Sequence, residues 1–147
     1  MAVMGAVKMK PVILCDIDGT IALRGERGPH DHEQAMEDAV SWPIIKLCDV
    51  LYMSKKFDII LISGRDESYR DITEYWLNTH NLLPYRQHLF MRPLNDNRPD
   101  EVVKREIYEK EIWPRYMVWY VLDDRNKVVK MWREIGLTCL QVADGDF

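Results

Sequence analysis

The sequence predicts an α/β fold built on a mainly parallel five-stranded sheet, and three observations predict it. Strand-like and helix-like segments alternate along the chain. The first strand is continuously apolar, as expected when both sheet faces are covered. Acidic and hydroxyl residues follow strands rather than precede them, and α/β sheets gather ligands beyond the carboxyl ends of their strands.

The elements read in order as follows. "VILC" (12–15) is a buried strand that runs into "DIDGT". The next stretch, "DGTIALRGERGPHDHE", carries three glycines and Pro29 and reads as a loop or short hairpin flap. Ser41 offers an N-cap to a helix with Pro43 in its first turn and an apolar stripe at 44, 47, 48, 51 and 52. "FDIILIS" is the second strand, followed by a turn at Gly64 and the helix "ESYRDITEYWLNTHN". "QHLFM" is a short third strand, and "DEVVKREIYEKEIW" a helix after a polar, proline-bearing segment. "YMVWYVL" is the fourth strand; the helix after it closes on Gly136 as a C′ residue, and "LTCLQVA" is the fifth strand. Trp113, Trp119 and Trp132 fall at apolar positions and read as core.

Composition bounds the function. At 147 residues the chain is read as one domain, and a net charge of −4 speaks against a general nucleic-acid coat. Cys15, Cys48 and Cys139 are too few and too scattered for a disulfide framework or zinc knuckle, so a reduced, cytoplasmic protein is expected. No apolar run approaches the ~18 residues of a membrane span. No GxxxxGK[ST] loop is present, which leaves nucleoside-triphosphate chemistry unsupported.

The chemistry lies at the strand ends. Asp16 and Asp18 follow the first strand, Ser63 the second, and Asp123 with Asp124 the fourth. Carboxylates gathered at one sheet edge repel, and a hard divalent cation, Mg²⁺, is the expected remedy, sharing its shell with a phosphate. Asp16 is placed as a nucleophile that takes a phosphoryl group, and Asp18 as the acid that protonates the leaving oxygen and then the base that activates water. Gly19 lets the chain leave the strand sharply and Thr20 holds the loop. Ser63 and Lys104 would meet phosphate oxygens, and Arg65 could fork onto a phosphate. Each has a bland alternative: "DxD" is often a turn, "DD" a helix cap, a helical lysine ordinarily solvated. The conjunction, in this order, favours the site. "HDHE" (30–33) is read as a solvated flap. A phospho-accepting receiver combines similar residue types, but carries its acidic pair and its phosphorylated Asp on different strands.

"DIDGT", "SGR", a lysine and then "LDDR" resemble the signatures of the haloacid-dehalogenase-like phosphohydrolase superfamily. "RGPHD", "DEVVKREI" and the closing "LDDRNKVVKMWREIGLTCLQVADGDF" narrow the resemblance to the 3′-phosphatase domains of bacteriophage polynucleotide kinase–phosphatases. The resemblance implies a Rossmann-like three-layer sandwich with a small flap and no large cap, residues 11–147 being the phosphatase domain and 1–10 a flexible extension or linker. It implies Asp16 as nucleophile and Mg²⁺ ligand, Asp18 as acid–base and ligand, and Asp123 and Asp124 on the metal. Thr20, Ser63, Gly64, Arg65, Lys104 and, from the flap, Arg27 would bind the phosphate or the substrate backbone. The implied reaction removes 3′-phosphate from DNA or RNA ends and nucleoside 3′-monophosphates, and in some relatives opens 2′,3′-cyclic phosphates; a virus-encoded repair role goes with it. A phosphatase of small metabolites is the alternative. The family's 5′-kinase module is absent from the chain, so a separate or fused kinase is an expected partner.

Overall fold

A computed structural model describes residues 9–82 and 88–147. Five parallel strands form one sheet in the order β5-β4-β1-β6-β7, with β1 Lys10–Asp16, β4 Asp58–Asp66, β5 Leu89–Arg92, β6 Tyr116–Asp123 and β7 Cys139–Gln141. Side chains of β1 alternate between two cores, as the two-residue period of a strand requires. Ile13 and Cys15 join Ile45 and Cys48 of α1 (Trp42–Met53) and Trp76 and Leu77 of α2 (Arg70–Thr79). Val12 and Leu14 join Val128, Val129 and Trp132 of α4 (Asn126–Glu134), with Ile107 of α3 (Asp100–Ile107) packed against them. Helices thus cover both sheet faces, and the three-layer expectation holds.

Between β1 and α1 the flap is small. Ala22–Leu23 (β2) and Ala39–Val40 (β3) form an antiparallel ribbon, joined through a 3₁₀ helix at His32–Glu37. Pro43 sits in the first turn of α1, but Ser41 makes no side-chain cap bond. Ile44, Cys48 and Leu51 of the expected stripe face the core, whereas Leu47 and Tyr52 are exposed. Gly136 adopts φ +92° after α4, and Leu137 N–H bonds Trp132 C=O at 3.0 Å, which ends the helix as foreseen.

Several expectations are corrected. The turn expected at Gly64 lies inside β4, which continues to Asp66; its register on β5 slips between Ser63 and Asp66, so Gly64 and Arg65 bulge. Helix 67–81 begins as a 3₁₀ turn at Glu67–Tyr69, and the helix after Pro99 widens into a π turn at Tyr108–Ile112. Lys10 already belongs to β1, while residues 1–8, and Gln87 of the expected third strand, lie outside the described residues. Trp132 is fully buried, but Trp113 is 65% and Trp119 49% exposed. The physical reason at Trp119 is a bulge: Val12 pairs with Val118 and Ile13 with Tyr120, so Trp119 is skipped.

Candidate active site

Asp16 ends β1 and Asp123 ends β6, while Asp16 lies opposite Ile62, the neighbour of Ser63. The three positions predicted to share an edge do share it. Asp16, Asp123 and Asp124 each offer a carboxylate oxygen within 4.8 Å of the others, and all three are buried. The Asp18 carboxylate is outside this cluster among the described residues.

Lys104 supplies the internal counter-charge. Its Nζ donates to Asp16 Oδ1 at 2.7 Å and Asp123 Oδ2 at 2.9 Å, with Asp100 Oδ2 at 3.8 Å. Burial alone would drive its proton off, but the charges of Asp123, Asp16 and Asp100 prevail and hold the ammonium well above the usual lysine range. For Asp16, burial prevails, reinforced by Asp123 and Asp124 and opposed by Lys104, and its pKa is raised. Burial and Asp123 likewise raise Asp124. One ammonium does not neutralise this cluster, and its oxygen-only donors suit a hard cation.

Thr20 donates to Asp16 Oδ2 at 3.1 Å, so it orients the candidate nucleophile rather than reaching out to a phosphate. Gly19, at φ +84°, brings the backbone so close to the Asp124 carboxylate that a Cβ there would overlap it. Gly64 stands in the same relation to Asp100. Ser63 Oγ is buried and accepts the Arg65 backbone N–H at 3.1 Å.

The two arginines expected on phosphate are elsewhere. Arg65, fully buried, donates to Asp18 at 2.7 and 2.9 Å, to Thr73 Oγ1 at 3.0 Å and to Asp38 at 3.3 Å. Arg27 donates to Asp38 at 2.6 and 2.7 Å and to Asp18 at 2.9 Å. A desolvated guanidinium demands carboxylate partners, and these two have taken them. Burial would raise the Asp18 pKa, but Arg65, then His32 and Arg27, outweigh it and hold Asp18 below the usual carboxylate range.

The strand ends open into a cavity lined by Asp16, Asp18, Gly64, Lys104, Asp123 and Asp124, among others. It meets a larger groove at Arg92, Asp100 and Arg125, along which Tyr69, Asn97 and Lys127 lie. His30 and Glu33 are exposed on the flap, in keeping with the reading of "HDHE", while His30 and the half-buried His32 also line the cavity wall. Sequence reasoning missed Asp38, Asp100, Arg24, Arg125 and Phe147. Asp100 had a signal, its i,i+4 spacing to Lys104 on one helix; Asp38 had none.

Fold, strand-end aspartates and buried lysine together define a haloacid-dehalogenase-like phosphatase. The chain belongs to the family described as the polynucleotide kinase PNKP phosphatase domain, which matches residues 10–147. A putative bifunctional polynucleotide kinase/RNA ligase of Autographa californica nuclear polyhedrosis virus is 31% identical over 88% of the chain and 19% of its own length. A chain of the solved Pnkp1/Rnl/Hen1 complex is 37% identical, with a TM-score of 0.89 over 96% of this chain and 48% of that one. A class C acid phosphatase from Bacillus anthracis, 18% identical with a TM-score of 0.57 over 82% of this chain and 54% of that one, shares the fold. The chain thus spans under half the length of its nearer relatives here. No helix among the described residues is long and apolar enough to cross a membrane.

Proposed function

We propose that the chain is a Mg²⁺-dependent polynucleotide 3′-phosphatase of nucleic-acid end repair, working through an aspartyl-phosphate on Asp16. The observation that carries this is the meeting of Asp16, Asp123 and Asp124 beside Lys104 in a site that continues into a groove, with only a small flap between β1 and α1 among the described residues. An open, groove-connected site suits a polymer end. Family membership and the viral kinase/ligase relative support the same substrate. A 5′-kinase, separate or fused, is the expected companion, and residues 11–147 the phosphatase unit.

Asp16, Asp123 and Asp124 would hold the Mg²⁺, which when bound would withdraw charge from the phosphate. Thr20 and Lys104 fix both Asp16 oxygens. One Asp16 oxygen attacks phosphorus, the P–O3′ bond breaks, and O3′ takes a proton from Asp18. Asp18 then accepts a proton from water, whose oxygen attacks phosphorus, releases inorganic phosphate and restores Asp16. Arg65 and Arg27 hold Asp18 below the usual carboxylate range, so Asp18 must take up a proton from solvent before it can pass one to O3′. Lys104, Gly64 and Ser63 are the phosphate-side residues.

The test is phosphate release from 3′-phosphorylated DNA and RNA oligonucleotides, with and without Mg²⁺, against sugar phosphates and nucleoside 5′-monophosphates. Mg²⁺-dependent release from the oligonucleotides alone is expected; faster turnover of sugar phosphates would replace this reading with a metabolite phosphatase. Gly19→Ala should cost about 1–2 kcal/mol for its left-handed φ and push Asp124 aside. The melting temperature should therefore fall by a few degrees, and the Mg²⁺ concentration for half-maximal release should rise. An unchanged Mg²⁺ requirement would remove Asp124 from the ion's shell.

A further inference from the structure

We propose that Arg24 is a substrate-binding residue that holds the internucleotide phosphate next to the 3′ end, an assignment that rests on the polynucleotide 3′-phosphatase reading. Lys104 is spent on Asp16 and Asp123, and Arg65 and Arg27 on Asp18 and Asp38. Arg92 donates to Asp100 and to the carbonyls of Gly64, Asp96 and Arg98. Arg125 donates to Phe147 C=O at 2.9 Å and pairs with Asp100 at 3.4 Å. Arg24 also lines the cavity and is half-buried, yet among the described residues it shows neither a hydrogen bond nor an ion pair.

Its recorded contact is a stack: the Arg24 guanidinium carbon lies 4.6 Å from the centroid of the Phe147 ring. Phe147 is 42% exposed, and two further contacts hold its place. Arg125 lies 4.7 Å from it, and the segment before it is tied down by Asn126 N–H on Gly145 C=O at 2.9 Å. Gly145 sits so tightly on the Asp124 backbone that no Cβ would fit. A guanidinium stacked on a ring keeps its in-plane N–H groups free, so it is oriented for an anion before one arrives.

The identity of that anion follows from substrate chemistry. The reacting phosphate belongs with Asp16, Lys104 and the ion. A polynucleotide 3′ end carries a second anion one nucleoside away, the internal diester, and a nucleoside 3′-monophosphate carries none. Arg24, on the flap after β2, is the cavity-lining arginine left to meet it.

The experiment compares wild type and Arg24→Ala on three substrates: a dinucleotide 3′-phosphate, the same dinucleotide with a neutral methylphosphonate linkage, and a nucleoside 3′-monophosphate. Loss of one charge-assisted phosphate contact predicts that Arg24→Ala lowers kcat/KM on the first about 10- to 100-fold, mainly through KM. The other two substrates should change less than about twofold. For a longer oligonucleotide, the slope of log(kcat/KM) against log[salt] should become shallower by about 0.7. An equal loss on all three substrates, or no loss on any, overturns the Arg24 assignment alone. Failure of wild type to release phosphate from any of them overturns the underlying reading and this one with it. Among the described residues Arg24 has no ion-pair partner to strand, and an unchanged melting temperature verifies that the variant is folded.

Discussion

Asp16→Asn is expected to abolish phosphate release, by at least about 10⁴-fold, while the protein stays folded. The amide has no anionic oxygen with which to attack phosphorus, and none of the neighbouring carboxylates shares Asp16's place at the end of the central strand. Folding should survive because Asp16 is a buried anion facing Asp123 and Asp124. Neutralising it relieves repulsion, and Lys104 keeps its bond to Asp123. The measurement is single-turnover phosphate release beside a thermal melt and near-ultraviolet circular dichroism. Turnover near the wild-type rate would refute the aspartyl-phosphate mechanism; loss of both activity and native dichroism would instead make Asp16 a structural residue.

Lys104→Met should be the most destabilising change at the site. The methionine fills similar space but leaves Asp16 and Asp123 buried without their shared ammonium. Removing one partner from a buried ion pair costs about 3–5 kcal/mol, or a fall of about 10 °C in melting temperature for a chain of this size. Activity should drop by about a thousandfold, since the lysine also faces the phosphate. Millimolar Mg²⁺ should return part of the lost stability, because an ion among the same carboxylates replaces the missing charge. A variant that melts at the wild-type temperature without Mg²⁺ would show that Lys104 is not what holds those aspartates together.

How much of this could be read from the sequence depended on the range of the interaction. "VILCD" and "YMVWYVLDD" announced both strand and strand end, because apolar runs and terminal aspartates are local signals. The sheet edge at Asp16, Ser63 and Asp123 followed from the rule for parallel sheets, and Mg²⁺ from the crowding of carboxylates. What failed was pairing across the fold. Arg65 in "SGR" read as a phosphate contact because its partner Asp18 lies 47 residues away; Arg27 in "RGP" did so although Asp18 and Asp38 are only 9 and 11 residues from it, because no periodic pattern marks how an irregular flap folds back on itself. Trp119 read as core because a one-residue slip against β1 leaves no trace in hydropathy. Phe147 and Arg24 carried no motif; only the folded chain lays one over the other.

Arg27 belongs to the flap, and its guanidinium grips both Asp38 and Asp18. Any swing of the flap that withdraws it also strips a positive neighbour from Asp18 and lets that carboxyl group take up a proton more readily. The position of the flap and the charge around Asp18 are therefore coupled through Arg27, alongside the larger hold that Arg65 keeps on the same carboxylate.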